Sequence, residues 1–418
     1  MRWSRVRLDW VAHEVRNTID PLKLGGTAFL YSIPLLDELG DGAIEDTALI
    51  GSNKLLLQGG EVLISKLNPR ITRVFQAREQ SVPTLASTEF IALKPTNAVN
   101  RGFLEYWLQN ELLRQYLDSV STSVTRSQQR VRPDSLTKTW LDLPVLREQR
   151  AIADYLDRET ARVDALIEKK QRMIELLEEE RMAITIDGVS GRFTSNALSA
   201  STLPWLECCG AGWHEVKLSL VAQLGSGHTP SRSHPEWWQE CNIPWITTGE
   251  VAQLRSDRTE YLVKTREKIS ELGIANSAAR IHPSGTVVLS RTASPGFSAI
   301  MSQNMATSQD FATWTCGPLI RPRFLLLCLR AMRQDLLGRL AMGSTHKTIY
   351  MPDINSLRVP LPDVQEQDAI VTSVWKKLNV TDSLVERVYR QVVQLREHRQ
   401  ALITAAVTGQ IDVPGVPE

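Results

Sequence analysis

The sequence predicts an α+β fold: two mixed α/β globules joined by two long antiparallel coiled-coil helices, arranged as a pseudo-twofold repeat. Three observations predict it. Residues 143–193 align with residues 361–411 at a constant offset of 218 without a gap, and 16 of the 51 positions are identical. Both copies carry apolar residues at alternating three- and four-residue spacing. Each copy follows a stretch of short β-rich runs and turns that ends in one amphipathic helix, the pattern of a globule with segregated sheet and helix. A gapless match this long is a duplicated structural unit. A duplicated chain can meet two partners, or two halves of one ligand, in equivalent ways.

The globules are read first, as residues 1–142 and 213–360. Each opens with a Trp-led strand, Trp3-Ser-Arg-Val-Arg-Leu and Trp213-His-Glu-Val-Lys-Leu. Gly60-Glu-Val-Leu-Ile-Ser65-Lys66 then matches Gly285-Thr-Val-Val-Leu-Ser290-Arg291, and Leu85-Ala-Ser-Thr-Glu-Phe resembles Met305-Ala-Thr-Ser-Gln-Asp-Phe. The helical run from Phe103 is placed like the one from Phe324, and Arg132-Pro-Asp-Ser-Leu matches Tyr350-Met-Pro-Asp-Ile.

The repeated segments, 143–193 and 361–418, read as helical spacers. Leu143-Pro144 ends an extended piece, because a residue before proline avoids the α region, and neither Pro nor Gly recurs until Gly188. The heptad pattern puts Ile152, Leu156, Val163, Leu166, Met173, Leu177 and Ile184 on one seam, with Glu159, Lys170 and Glu180 as polar exceptions. The same register in the second copy gives Ile370, Val374, Leu384, Val388, Leu395 and Leu402. One such seam alone has nothing to bury itself against, and two in one chain do. About 39 residues at ~1.5 Å rise predicts a rod of roughly 58 Å. Gly191 and Gly409 stand where a helix stop is expected. The Ser-, Ala- and Thr-rich stretch within 194–212 reads as a linker.

Composition narrows the classes. The formal net charge is +1. Residues 1–143 hold 17 Lys/Arg against 16 Asp/Glu and residues 194–361 hold 16 against 12, whereas the repeated segments are mildly acidic. Five cysteines, two of them adjacent at Cys208-Cys209, form neither a disulfide framework nor a CxxC zinc pair. The N-terminus lacks an apolar signal core, and no run approaches the ~18 apolar residues of a membrane span. These features predict a soluble cytoplasmic protein with no membrane partner.

The Trp-led domain, followed by a Leu-Pro…Glu-Gln…Ile helix and ending near a Gly, with the whole unit doubled, resembles the specificity (S) subunit of type I restriction-modification enzymes. Leu143-Pro144, Glu148-Gln149 and Ile152 carry the resemblance, with Leu361-Pro362, Glu366-Gln367 and Ile370. So do Gly227-His-Thr-Pro230, Ile243-Pro-Trp-Ile246, Gly343-Ser-Thr345 and Val407-Thr-Gly-Gln-Ile-Asp412. The resemblance implies that each globule is a target recognition domain reading one half of a split, asymmetric site on double-stranded DNA. It implies that the paired helices set the gap between the halves and dock two methyltransferase (M) subunits. S-adenosylmethionine would sit on those subunits, and ATP and Mg on restriction (R) subunits, with no cofactor and no catalysis in this chain. In the first domain the Gly-Ser-Thr loop is replaced by Thr122-Ser-Val-Thr-Arg126-Ser-Gln-Gln-Arg130, which bears on the half-site read rather than on the role.

Phosphate contacts favour Lys, Arg and hydroxyls, and base edges favour Arg, Lys, Asn, Gln, Ser and Thr. The acid-free stretch 122–132 therefore nominates Thr125, Arg126, Gln128, Gln129 and Arg130, and its positional equivalent nominates Ser344, Thr345, His346 and Lys347. Lys66, Arg70 and Arg291 follow matched strands and complete the DNA-binding set. A solvated polar loop would have the same composition. Glu148, Gln149, Glu366 and Gln367 are the candidates for partner docking, and capping of their own helices is the competing role.

Two other classes compete. A metal-dependent nuclease would use Pro133-Asp134 with Glu168-Lys169-Lys170, but the repeat mate Glu386-Arg387-Val388 lacks the lysine. A stand-alone coiled-coil scaffold would need no cationic loops at matched places. There is no GxxxxGK[ST] loop for ATP, and His228 and His234 lack a third ligand at metal spacing, so no metal site is expected.

Overall fold

In the computed structural model, which describes residues 3–122, 129–343 and 347–416, the repeated segments are helices of 44 residues each, Leu146–Val189 and Val364–Val407. At ~1.5 Å per residue each runs roughly 66 Å. Both exceed the expected length, and the first passes through Gly188 unbroken. A Cβ there would lie 2.1 Å from a methyl of Val374, so the neighbouring helix takes the space a side chain would fill.

The chain divides into one unit of Met1–Gln171 with Tyr389–Glu418 and a second unit of Arg172–Val388. These boundaries cut across the segments read from sequence, because each half-helix packs into a globule. The stretch expected to be a linker is also ordered within the second unit. Its strand Leu198–Ala200 pairs with Cys208–Gly210, and Leu203 and Leu206 are buried.

In the first unit, a five-stranded sheet runs Thr18–Ile19, Lys54–Leu57, Thr84–Ser87, Thr27–Tyr31, Ala43–Asp46. A four-stranded sheet runs Ala12–Val15, Phe90–Pro95, Val62–Ser65, Val74–Gln76. The second unit has a five-stranded sheet, Ala222–Ser226, Phe311–Cys316, Val287–Ser290, Ser298–Met301, Tyr261–Leu262, and a four-stranded one built around Ile243–Ile246 and Met305–Thr307. The strands matched by sequence are matched in place. Val62–Ser65 and Val287–Ser290 are both fully buried central strands, which is why they read as unbroken apolar runs. The Trp-led strands close antiparallel on the strands that precede the long helices, Ser4–Arg7 on Trp140–Leu143 and His214–Lys217 on Arg358–Leu361.

Helices Arg101–Gln109 and Pro322–Ala331 supply the middle of each core through Phe103, Leu104 and Trp107, and through Phe324 to Leu329. Asn100 caps the first, its side-chain oxygen accepting from the Phe103 amide at 3.0 Å. Proline in the first turn starts the second. The Leu-Pro sites hold a glutamine clamp. Gln149 is 1 % exposed; its amide donates to the carbonyls of Pro144 (2.8 Å) and Ala98 (3.1 Å) and accepts from the Asn100 amide at 2.7 Å. Gln367 repeats this with the carbonyls of Pro362 and Leu319 and the Arg321 amide. Each clamp fastens the start of a long helix to the start of a core helix.

The long helices run antiparallel within each unit. In the first, Ile152 and Leu156 share a core with Ile403, Ala406 and Val407, while Asp164 pairs with Arg399 at 2.9 Å. In the second, Leu177 packs on Val385 and Val388, and Arg181 pairs with Asp382 at 2.6 Å. The two ion pairs are made by repeat mates that exchange roles. The expected seam slips by one residue. Thr160 and Ile167 are buried where Glu159 and Leu166 were expected, and Leu166 and Met173 are 47 % and 40 % exposed. Two four-residue steps in succession, Ile152 to Leu156 to Thr160, reset the phase. Ile370, Val374 and Leu378 do the same in the second helix, all buried. The first turns face the globule core, whose surface follows no heptad.

Gly188→Ala should lower the melting temperature in a thermal unfolding scan. The overpacking cost of about 1–3 kcal/mol exceeds the ~1 kcal/mol gain in helix propensity. A raised melting temperature would contradict the close approach.

Candidate nucleic-acid interface

At the exit of each buried central strand, a cation follows a serine. In the first unit Lys66 follows Ser65; in the second Arg291 follows Ser290. The backbone of each is fixed on both sides. The Lys66 amide donates to the Glu89 carbonyl at 2.7 Å and its carbonyl accepts from the Val131 amide at 3.0 Å. The Arg291 amide donates to the Asp310 carbonyl and its carbonyl accepts from the Ile349 amide, both at 2.8 Å. Two residues further on, the chain turns through a left-handed residue, Asn68 at φ 50° and Ala293 at φ 58°. Asn tolerates that region better than Ala, so the second turn carries the greater strain.

Beside each cation an antiparallel bridge joins two stretches of the chain. Thr122 and Arg130 form a β-bridge in the first unit, and Met342 and Thr348 form one in the second. Arg130 also bridges to Leu67, and Thr348 to Thr292. The segments between the bridged residues include Thr125, Arg126, Gln128, Ser344, Thr345 and His346, which lie outside the described residues.

The remaining expected residues are brought together. In the first unit Lys66, half-buried, donates its ammonium to the Thr88 carbonyl at 2.7 Å. Gln129 accepts from the Asn68 amide through its carbonyl at 2.8 Å. Arg70 is exposed at the turn. Arg130 lies against Glu89, with its Nε 3.0 Å from one carboxylate oxygen, and that carboxylate raises the guanidinium pKa above its ordinary value. In the second unit Arg291 donates its Nε–H to the Gln309 carbonyl at 2.8 Å, and Lys347 is exposed beside the bridge. Thr229, from the Gly227-His-Thr-Pro230 motif, joins this surface by donating to Gln309 at 2.8 Å. Each surface therefore offers an exposed cation and at least one more held in fixed orientation, with Gln129 beside the first and Thr229 and Gln309 beside the second. That set can hold phosphate oxygens and read base edges.

Two residues that hold these surfaces were not nominated from sequence. Glu89 and Asp310 each stand immediately before the matched Phe90 and Phe311, so the aligned acid-Phe pair was the available signal. Glu89 orients Arg130, and Asp310 accepts from the hydroxyls of Thr292 and Ser308. The four residues expected to dock a partner fall into two groups. Gln149 and Gln367 are buried in the clamps, so what they hold in place is the chain itself. Glu366 accepts from Trp213 Nε1, Thr194 and Ser195, each at 3.0 Å. Glu148 stays half-exposed.

Comparison with known proteins gives the family. The family profile described as type I restriction modification DNA specificity domain matches residues 25–176 and 211–390. The MjaIX specificity subunit of Methanocaldococcus jannaschii is 26% identical over 180 residues, which are 43% of this chain and 40% of the relative. The chain thus spans less than half the length of that relative. The putative MjaX specificity subunit of the same organism is 21% identical across 97% of this chain and 94% of its own length. Among solved structures, a chain of a type I R-M system, studied for complex assembly and conformational transition, superposes with a TM-score of 0.73 at 17% identity, covering 98% of both chains. That likeness speaks to the fold.

Glu89→Ala should free Arg130 and speed hydrogen exchange at the Thr122 and Arg130 amides by roughly tenfold or more, as local opening costs less. Unchanged exchange would show that Glu89 does not hold the bridge.

Proposed function

This chain belongs to the family of type I restriction-modification DNA specificity domains, and from that premise we propose that it is a non-catalytic DNA sequence-recognition subunit. Each unit reads one half of an asymmetric bipartite site. The antiparallel helices set the unread gap and dock two methyltransferase subunits, which carry S-adenosylmethionine. Restriction subunits, with ATP and Mg, complete the assembly in the cytoplasm.

One observation carries this reading. A single backbone frame of cation, left-handed turn and antiparallel bridge is built twice, and the segments that the bridges bound differ in sequence. A conserved frame with divergent side chains suits a protein that reads two unlike sequences in the same way. A scaffold that never meets nucleic acid has no use for it. Against the nuclease alternative, Asp134 is paired with Lys138 at 2.8 Å and Glu168 points to solvent from the long helix. Among the described residues, no group of three or more His, Cys, Asp or Glu could hold a metal ion, and no helix is long and apolar enough to cross a membrane.

Duplex binding by the chain should weaken as salt rises. Arg70→Ala and Lys347→Ala should each lower the slope of log affinity against log salt by about 1, the loss of one phosphate contact. Titrations of labelled duplex from low to moderate salt give the slope. Binding that ignores both salt and these substitutions would overturn the reading.

A further inference from the structure

At the end of the first unit's four-stranded sheet away from Lys66, a cleft of about 560 Å³ is lined by Gly59, Gly60, Asn97 and Asn100 together with Lys94, Arg101 and Arg150. The cleft lining contains no carboxylate. Lys94, Arg101 and Arg150 are all exposed, and none of them makes an ion pair among the described residues. Arg101 lies across Gly60, whose absent Cβ would stand 2.7 Å from the guanidinium, so the glycine admits the cation to the cleft wall. Lys94 donates to the neutral side chain of Gln58.

The second unit does not repeat this feature. Register through Phe90/Phe311 and through the two glutamine clamps places Thr315 at the position of Lys94 and Pro322 at that of Arg101. The helical repeat places Asp368 at the position of Arg150, and Asp368 is paired with Arg321 at 3.4 Å. Three unpaired cations on one side thus correspond to threonine, proline and a neutralised aspartate on the other. The two units are otherwise built on one plan, so the difference marks a surface that only the first unit presents.

We propose that this cleft is the docking site for an acidic segment of a protein partner, and that the two units therefore hold their partners unequally. Position and chemistry favour protein over nucleic acid. Strand Phe90–Pro95 runs from Glu89, at the candidate interface, to Lys94, at the cleft. Five residues at ~3.3 Å each put the two sites roughly 17 Å apart, at opposite ends of the same strand. The cleft is also lined by Pro95 and by Leu146, which is 38 % exposed at the start of the long helix. Apolar groups beside unpaired arginines suit an amphipathic acidic peptide, whereas a phosphate backbone gains nothing from them. The unequal holding of partners rests on the docking role proposed above, whereas the cleft's binding of an acidic peptide stands apart from DNA reading.

The test uses the full chain and two labelled probes, a synthetic peptide repeating Glu-Leu-Glu-Glu and a duplex of generic sequence, followed by fluorescence anisotropy at about 50 mM salt. The chain is expected to bind the peptide. The double variant R101E/R150E should bind it at least roughly tenfold more weakly while its duplex affinity changes less than about twofold. A Lys94→Glu variant should show the same direction, and thermal unfolding of each variant checks that the fold is intact. Absence of peptide binding by the wild-type chain, or equal binding by the variants, would overturn the proposal. A tenfold loss of duplex affinity in R101E/R150E would overturn it in favour of a nucleic-acid contact.

Discussion

A helix of 44 residues with an apolar stripe must bury that stripe, and this chain buries it against its own repeat. That constraint organises everything else. Each unit takes half of one long helix and half of the other, so neither globule is complete without sequence from two distant parts of the chain. The pairing is fixed by identical residues used twice, Asp164 with Arg399 and Arg181 with Asp382. Arg181 is 7 % exposed and Asp382 also receives Arg258, so the second pair is tied into its globule. A buried ion pair of this kind specifies register more than it adds stability, since desolvation offsets much of the Coulomb gain.

The register then propagates outward. The glutamine clamps tie each helix start to a core helix, the core helix sits on the central strand, and the central strand ends in the cation of the candidate interface. A displacement of the helix would be transmitted through these buried hydrogen bonds and packing contacts to the bridges beside the cations. The duplicated frame therefore fixes where a recognition surface is held and leaves its side chains free to differ. Unlike loops on like frames allow two halves of a site to be read independently.

Much of this was legible in the residues. The gapless repeat, the paired Trp-led strands and the matched strand-to-cation segments all correspond to equivalent elements in the two units. The heptad phase was not legible, because Leu156 and Val374 face a globule as well as a helix and the step pattern resets there. The role of Gln149 and Gln367 was not legible either. A glutamine at a helix start can cap, dock or clamp, and only the proximity of Asn100 and Arg321, 49 and 46 residues away, decides among these. Glu89 and Asp310 escaped notice because a search for anion-binding residues passes over acids, although Glu89 orients Arg130 and Asp310 holds the hydroxyls of Thr292 and Ser308. The linker was misjudged on composition, since Leu203 and Leu206 supply the apolar anchors among its serines and threonines.

The central claim is that each unit reads its own half of a split site on a frame common to both. The most direct measurement is a map of methylated adenine in cells that make this chain, or a hybrid in which residues 1–142 come from another member of the family, together with the methyltransferase subunits. The account predicts that the hybrid changes one half of the methylated motif and leaves the other half and the gap as they were. A motif changed in both halves, or changed in neither, would contradict it.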